Sequence, residues 1–253
     1  MVSRLISPLK SIPVAPNTTI YLRDKLTIRK GCEAKFKNGK QTLLSLTHDT
    51  CKLIAACGRE PFSIDTPTQE PPPPMLHVWR LPEWRTLYDA MYYCSERPWY
   101  YELEQSLLRE SQELLVDLRV GYGVRPRPVT PEHVYLYQEV LLTPRASVNR
   151  YCLYLNRFAA EVQRHDWTWV WSASQITAQP GLLCFLWAAP GLDILRSVLD
   201  ELRKETWFRN EMMGMVSKLT QSYMFPTDVE SWDQDITTAL ATGGSGPAEA
   251  ASA

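Results

Sequence analysis

The sequence lacks the features of several large functional classes. Its 253 residues hold 27 Lys and Arg against 28 Asp and Glu, a formal net charge of −1. The basic excess typical of nucleic-acid binders is therefore missing. No apolar run approaches the length of a membrane-spanning helix, no secretory signal is visible, and P-loop, GxGxxG and HExxH motifs do not occur. We therefore expect neither a nucleic acid nor a membrane as a partner.

The six cysteines show no CxxC pair and no metal-ligand spacing, so no metal site is predicted. Five of them lie in apolar segments, where a free thiol behaves as a small hydrophobic group: Cys51, Cys57, Cys94, Cys152 and Cys184. Reduced thiols predict a cytoplasmic protein. The stretch MVSRLISPLKSIPVAP is interpreted as an extended arm; a mitochondrial presequence is the alternative, but its prolines and single arginine suit an Arg-rich amphipathic helix poorly.

What the chain does have is a sequence repeat. Three pairs of anchors recur at a constant offset of 108 residues: Trp79 and Trp187, Pro82 and Pro190, Trp99 and Trp207. Upstream, Tyr21 matches Tyr135 at an offset of 114, and His48 matches His165 at an offset of 117. The changes in offset place extra residues in the second copy's first helix and in the Pro-rich loop of the first copy. The chain is therefore predicted to be a duplicated domain.

This repeat divides the chain into five predicted segments. Residues 1–17 form an N-terminal arm, 18–122 the first repeat, 123–132 a linker, 133–229 the second repeat and 230–253 a C-terminal tail. The tail ends in the low-complexity sequence ATGGSGPAEAASA, which predicts disorder from about residue 241.

Each copy is predicted to form strand, helix, strand, strand and helix, followed by a final strand. The first copy has strands at 19–28, 51–57, 75–81 and 116–121, and helices at 32–47 and 84–115, the latter broken near Pro98. The second has strands at 133–142, 167–174 and 182–188, and helices at 146–165 and 192–222. This order indicates an α+β fold: two tandem ferredoxin-like repeats packed sheet to sheet as an intrachain dimeric α/β barrel.

Two segments of the first copy resemble the NIPSNAP family. They are HVWR at residues 77–80, followed by Trp99 in ERPWYYEL, and the opening strand YLRDKLTIRKG. The resemblance covers both copies, roughly residues 19–118 and 133–225. It is weaker in the second copy, where Phe185, Ala188 and Tyr137 stand in place of His77, Arg80 and Arg23. The chain is on this basis interpreted as a tandem NIPSNAP protein.

The resemblance implies the dimeric α/β-barrel fold, which is shared with small cofactor-free monooxygenases and related enzymes. It says little about chemistry, because a fold hosts many functions. Haem is an alternative cofactor, since related barrels bind it. Such a haem would need an axial ligand, and only His48, His77 and His165 lie near the strands of the repeats.

Strand alternation predicts which side chains face the barrel interior. We expect a basic cluster from the first copy, Arg23, Lys52 and His77, together with Trp79. Facing it we expect an aromatic wall with one acid from the second copy: Tyr135, Tyr137, Trp169, Trp171, Trp187 and Glu139. Residues that alternate with these are expected to pack on the helices, Leu76, Val78, Cys184 and Leu186 among them.

An aromatic cavity with a few cationic groups favours an anionic, partly aromatic or polyketide-like metabolite. The hypothesis is therefore a small enzyme without a bound metal or nucleotide, acting in a biosynthetic pathway. His77 would be the general acid or base, Arg23 and Lys52 would hold an anion, and Glu139 or Tyr137 would carry a second proton. The reaction could be a cyclisation, isomerisation, dehydration or oxygenation.

Simpler interpretations stay open beside this one. The tryptophans could fill the interface between the sheets, His77 could be structural, and Arg23 and Glu139 could form a plain ion pair. The chain could also be a non-catalytic NIPSNAP-type interaction protein, with the run PPPP in the loop at residues 58–74 as a docking element. The fused repeat is expected to be a monomer or a homodimer.

Overall fold

The computed structural model of the chain describes residues 19–47, 51–58, 75–81, 92–118, 132–175 and 181–227. The expected N-terminal arm, the Pro-rich loop, most of the linker and the C-terminal tail lie outside these residues. The domain boundaries and the docking role of the PPPP run therefore stay predictions.

The two copies contain the same order of elements. The first consists of β1 (Ile20–Ile28), α1 (Glu33–Thr47), β2 (Lys52–Gly58), β3 (Met75–Leu81), α2 (Pro98–Gln105) and β4 (Leu107–Asp117). The second consists of β5 (Val134–Leu142), α3 (Val148–Gln163), β6 (Thr168–Gln175), β7 (Leu182–Ala189), α4 (Leu192–Leu202) and β8 (Val216–Pro226). A π-helical turn, Trp207–Met212, and a 3₁₀ turn, Met213–Met215, precede β8.

The eight strands form one closed antiparallel barrel in the order β1-β3-β2-β8-β5-β7-β6-β4. Within it, β4-β1-β3-β2 and β8-β5-β7-β6 repeat the same arrangement, and the halves join where β2 pairs with β8 and β4 with β6. Helices cover the outer face of each sheet. The predicted fold of two ferredoxin-like repeats closed into an intrachain α/β barrel is confirmed.

Local sequence explains where the helices begin. Pro98 occupies the first turn of α2, where its fixed φ suits a helix and its missing N–H is not needed. Ser147 caps α3 by accepting a hydrogen bond from the backbone N–H of Arg150 at 3.5 Å. Gly31 adopts φ 78° in the turn between β1 and α1, a conformation that favours glycine. Within the described residues, no helix is both long and apolar enough to cross a membrane.

The long helices predicted at 84–115 and 192–222 are wrong in the same way in both copies. Helix α2 ends at Gln105 and α4 at Leu202, and the final strands β4 and β8 begin soon afterwards. The segment LLRESQELL consists largely of good helix formers. Pairing with β1 along its length overrides that local preference, because the strand closes the hydrogen bonds of the β1 edge.

Close packing of α1 on α2 fixes the outer layer of the first half. At Gly39 an added Cβ would lie 2.9 Å from Cβ of Leu103, so the two helices approach through the glycine. In the second half, α3 packs through Phe158 and its neighbours onto β7 and the turn before β8. Each half thus encloses a core between its sheet and its helices, and a further core fills the barrel interior.

Candidate functional site

The register of the strands decides which side chains share a face, because directly opposed residues of an antiparallel pair point the same way. Arg23 lies opposite Val78 and contacts Tyr137 and Glu139 across the barrel, so these side chains face the interior. Asp24 lies opposite His77, whose ring is 6.1 Å from that of Phe36 on α1. Asp24 and His77 therefore face the helices.

The predicted orientation of β3 and β7 is wrong. His77 and Trp79 face the helices, and so does Trp187, whose ring lies 5.0 Å from that of Phe158 on α3. The alternate residues Leu76, Val78, Cys184 and Leu186 face the interior instead. The segments LHVWRL and LCFLWAA have buried residues on both faces. Their sequence therefore does not show which alternate residues face the helices, and an error of one residue moves every side chain to the other face.

The aromatic wall is also only partly confirmed. A β-bulge lies between Trp169 and Trp171 and breaks the strict alternation of β6. Trp171 faces the interior, edge-on to Tyr21 at 5.8 Å, whereas Trp169 packs with the helix-side core of the second half. Tyr135 and Tyr137 do lie in the interior, both buried. Lys52 lies opposite Arg80 at one end of the barrel rather than beside Arg23.

Arg23, Tyr137 and Glu139 come together in the barrel interior as an ion network. The Arg23 guanidinium donates to Tyr137, to Glu139 Oε1 at 2.7 Å and to Cys184 Sγ at 3.0 Å, and its other nitrogen pairs with Glu113. Glu139 also accepts from Lys25 and from the Tyr137 hydroxyl, the latter at 2.7 Å. The network joins β1 and β4 of the first half to β5 and β7 of the second.

Charge in this network is balanced within the protein. Burial alone would lower the pKa of Arg23, but Tyr137, Cys184, Glu113 and Glu139 outweigh it and raise that pKa. Burial raises the pKa of Glu139, yet bonds from Lys25 and Arg23 bring it below its usual value. Two carboxylates already neutralise the guanidinium. The network therefore resembles a buried structural ion cluster more than a receptor for an anionic ligand.

A cavity of about 60 Å³ lies on the other side of the first sheet, between that sheet and the helices of the first half. It is the space against which Asp24 and Trp79 project. The described residues that line it are mostly apolar: Leu22, Asp24, Leu43, Thr47, Cys51, Trp79, Leu81, Cys94, Tyr100 and Gln112. Asp24 is the one carboxyl among these lining residues.

The carboxyl of Asp24 is held at one oxygen and unpartnered at the other. Oδ2 accepts a hydrogen bond of 2.8 Å from Trp79 Nε1, and Oδ1 has no hydrogen-bond partner among the described residues. Burial raises the pKa of Asp24 to about 8, with a further contribution from the charge of Glu110. Trp79 and the nearby Gln112 oppose this shift without reversing it. The carboxyl is therefore largely protonated at neutral pH.

His77 and Tyr100 complete the polar surroundings of Asp24. His77 is buried, its Nε2 has no partner among the described residues, and burial together with the charge of Lys40 holds its pKa well below the usual value. Burial, then the acids Glu110, Glu104 and Asp24, raise the pKa of Tyr100. At neutral pH both side chains are therefore uncharged.

The second half contains the same framework with aromatic rings at the corresponding positions. Trp187 Nε1 donates to Gln138 Oε1 at 3.0 Å, as Trp79 donates to Asp24, and Gln138 lies opposite Phe185 as Asp24 lies opposite His77. The buried residues of the helices align Leu43 with Phe158, and the repeat aligns Tyr100 with Phe208. Phe158 packs on Phe208 at 6.0 Å between ring centroids and fills the equivalent space.

At four corresponding positions of the two halves, the first half has an ionisable residue and the second half does not. The register and the helix alignment give four correspondences: Asp24 with Gln138, His77 with Phe185, Lys40 with Leu155, and Glu110 with Leu219. Gln138 shows that an amide oxygen can accept the hydrogen bond from the tryptophan Nε1 at this place in the fold. The acid of the first half is thus not required by the architecture, which makes it a candidate for function.

Asp24 is the residue that the sequence-based prediction missed. It stands in IYLRDKLTI, where alternation assigns it to the apolar, helix-facing side with Ile20 and Leu22. An acid on that side is a signal in itself, because unpaired carboxyls are rarely buried. Alignment of the two copies at the offset of 114 residues would also have matched Asp24 with an amide residue, Gln138.

The described residues do not fit a haem. His165 is exposed at the end of α3, His133 is half-buried directly before β5 and is not among the residues that line the cavity, and His48 lies outside the described residues. His77 is buried near the cavity, but about 60 Å³ is far below the ~300–1,000 Å³ of pockets that hold drug-sized molecules and cofactors. Across the same part of the chain, no group of three or more His, Cys, Asp or Glu side chains is arranged to hold a metal ion. All six cysteines are free.

Comparison with known proteins supports the fold. No protein-family profile and no curated protein matches the sequence. Among solved structures, chlorite dismutase from Candidatus Nitrospira defluvii in complex with imidazole is similar with a TM-score of 0.59 and 6% identity, over 88% of this chain and 95% of that one. A candidate monooxygenase from Lactobacillus acidophilus gives 0.56 and 10%, over 82% and 93%. One from Fusobacterium nucleatum gives 0.54 and 8%, over 83% and 92%.

At these identities the similarity defines the class of fold, the dimeric α/β barrel, and leaves the chemistry to be argued from the site. The neighbours are spanned almost completely, so both halves of the barrel take part in the match.

Proposed function

We propose that the chain is a small acid–base enzyme whose active site is the cavity of the first half, with Asp24 as the group that carries the proton. The observation that carries this proposal is the carboxyl itself. It is buried beside a cavity, accepts from Trp79 at Oδ2, and has no partner within hydrogen-bond distance of Oδ1 among the described residues, in a place where the second half has an amide. The barrel neighbours that are described as monooxygenases or chlorite dismutase are consistent with an enzyme.

The geometry suits proton transfer to and from a small uncharged molecule. Protonated Asp24 can donate from Oδ1 to a carbonyl oxygen, and the ionised form can remove a proton from the neighbouring carbon. A pKa near 8 suits both directions at neutral pH, because the efficiency of an acid or base is greatest when its pKa lies close to the pH. Trp79 orients the carboxyl by holding Oδ2. Isomerisation, cyclisation and dehydration all use such a step.

This proposal replaces the anionic ligand expected from the sequence. An anion in the cavity would face Asp24 and lie near Glu110, and no Lys or Arg is among the described lining residues. The walls formed by Leu22, Leu43 and Trp79 favour an apolar body of a few heavy atoms, or such a group at the end of a larger molecule. A biosynthetic role, a cytoplasmic location and membership of the NIPSNAP family stay predictions, since none of the comparisons names that family.

Exchange of carbon-bound hydrogen tests the proposal without knowledge of the natural substrate. Small ketones and 1,3-diketones would be incubated with the protein in D₂O, and loss of the signal from hydrogens next to the carbonyl followed by proton NMR. We expect the protein to accelerate exchange for some members of the panel, and Asp24→Asn to return the rate to background. Asp200→Asn, the same substitution at an exposed site on α4, is the matched control. Wild-type exchange by Asp24→Asn would refute the assignment.

A further inference from the structure

We propose that Glu110 and Glu104 form a proton path that connects Asp24 to solvent. The need for such a path follows from the proposed function, on which this inference rests. Asp24 is buried, and to exchange carbon-bound hydrogen for solvent hydrogen it must exchange its own proton with water. Carboxyls that lead from Asp24 towards solvent provide a route for that exchange.

The strand register places Glu110 beside Asp24. On β4, Gln112 lies opposite Asp24 and Glu110 lies opposite Leu26, so Glu110 is the next residue along on the same face of the sheet. It is half-buried, and Glu104 on α2 is partly exposed. Asp24 is thus buried, whereas Glu110 on β4 and Glu104 on α2 each have partial access to solvent.

The three acids also act on one another electrostatically. The charge of Glu110 contributes to the raised pKa of Asp24, and the charge of Glu104 contributes to the raised pKa of Glu110. Tyr100, which lines the cavity, is influenced by all three. The other titratable groups of this region are less well placed: His77 on β3 and Lys40 on α1 are not among the described residues that line the cavity, and burial raises the pKa of the Cys94 thiol.

The second half again provides the reference. Leu219 takes the position of Glu110, beside Gln138, in the half where no carboxyl needs to exchange a proton. A leucine is therefore compatible with the fold at this place. A glutamate there is half-buried and near two other acids, which destabilises the native state, so its presence calls for a functional reason.

The path predicts that Glu110 controls how fast Asp24 changes its protonation state. In a stopped-flow jump from pH 6 to pH 9, ionisation of Asp24 should alter the fluorescence of Trp79, to which it is bonded. The phase that belongs to Asp24 is the one that disappears in Asp24→Asn. We expect Glu110→Gln and Glu110→Leu to slow that phase at least tenfold, and added imidazole buffer to restore it. Glu161→Gln, on the exposed face of α3, is the matched control.

The outcomes separate the two proposals. An Asp24-dependent phase that keeps its rate in both Glu110 variants, or that imidazole does not restore, overturns the proton path and leaves the enzyme proposal standing. The absence of any Asp24-dependent fluorescence change between pH 6 and pH 9 at equilibrium overturns both, because Asp24 then does not titrate in this range. Slowing with rescue supports the path, since a purely structural role for Glu110 would not respond to a small buffer acid.

Discussion

Replacement of Asp24 by asparagine should make the protein more stable at neutral and alkaline pH. The pKa of this carboxyl rises from 3.8 to about 8 on folding. Between these values the unfolded chain has released the proton and the folded chain holds it, so folding must take up a proton and stability falls as pH rises. Each pKa unit corresponds to about 1.4 kcal/mol, which gives an upper limit of about 6 kcal/mol above pH 8.

Asparagine avoids this cost and keeps the bond to the indole. Its side-chain oxygen can accept from Trp79 Nε1 just as Gln138 accepts from Trp187. We therefore expect the difference in unfolding free energy between Asp24→Asn and wild type to be small at pH 4. It should grow between pH 4 and pH 8, reach about 3–6 kcal/mol, and stay level above.

Urea denaturation at a series of pH values measures this difference. His77 titrates in both proteins, so its own contribution cancels in the comparison. Asp200→Asn, the same substitution at an exposed carboxyl, is the matched control. A flat difference for Asp24→Asn would refute the reasoning, since it would mean that folding leaves the pKa of Asp24 unchanged.

Three further predictions concern packing and charge. Leu43→Phe copies Phe158 and should fill the cavity, abolishing ketone exchange while leaving the urea midpoint unchanged or higher; a large loss of stability would contradict the alignment of the halves. Gly39→Ala should lower stability by about 1–3 kcal/mol in thermal denaturation, whereas Gly214→Ala, where an added Cβ meets nothing, should not. Arg23→Met should lower the unfolding free energy by about 1–3 kcal/mol, because the partly buried Glu113 loses its cation while Glu139 keeps only Lys25. A near-neutral result would mean that the network does not stabilise the barrel.

The sequence predicts the duplicated fold well because the repeat is carried by contacts that both halves preserve. Trp99 packs edge-on against Tyr100 at 5.7 Å, and Trp207 packs in the same way against Phe208 at 5.8 Å. The pattern of hydrophobic residues predicted the elements of each copy up to the start of its last helix. The last strand was placed too late in the first copy and was given no position in the second, because its local sequence permits a helix and only pairing with β1 or β5 selects the strand.

The site was predicted less well, because the sequence did not show which face of each strand a given side chain occupies. Arg23, Tyr137 and Glu139 were assigned to one interior cluster because β1 and β5 alternate between polar and apolar residues. Strand β3 has buried residues on both faces, so His77 could not be placed from pattern alone. The cavity depends on the difference in volume between a leucine and a phenylalanine at equivalent helix positions, which no single-copy pattern reveals.

Fusion of the two halves explains how an acid such as Asp24 could be kept. In a symmetric homodimer every substitution occurs twice, and a carboxyl forced to stay protonated would lower the stability of both subunits. In a fused barrel the cost arises once. The second half can then retain Gln138 and the stacked rings of Phe158, Trp187 and Phe208, which close its core with neutral groups. The asymmetry between the halves is thus what is expected when one half stabilises the barrel and the other carries a destabilising group that chemistry needs.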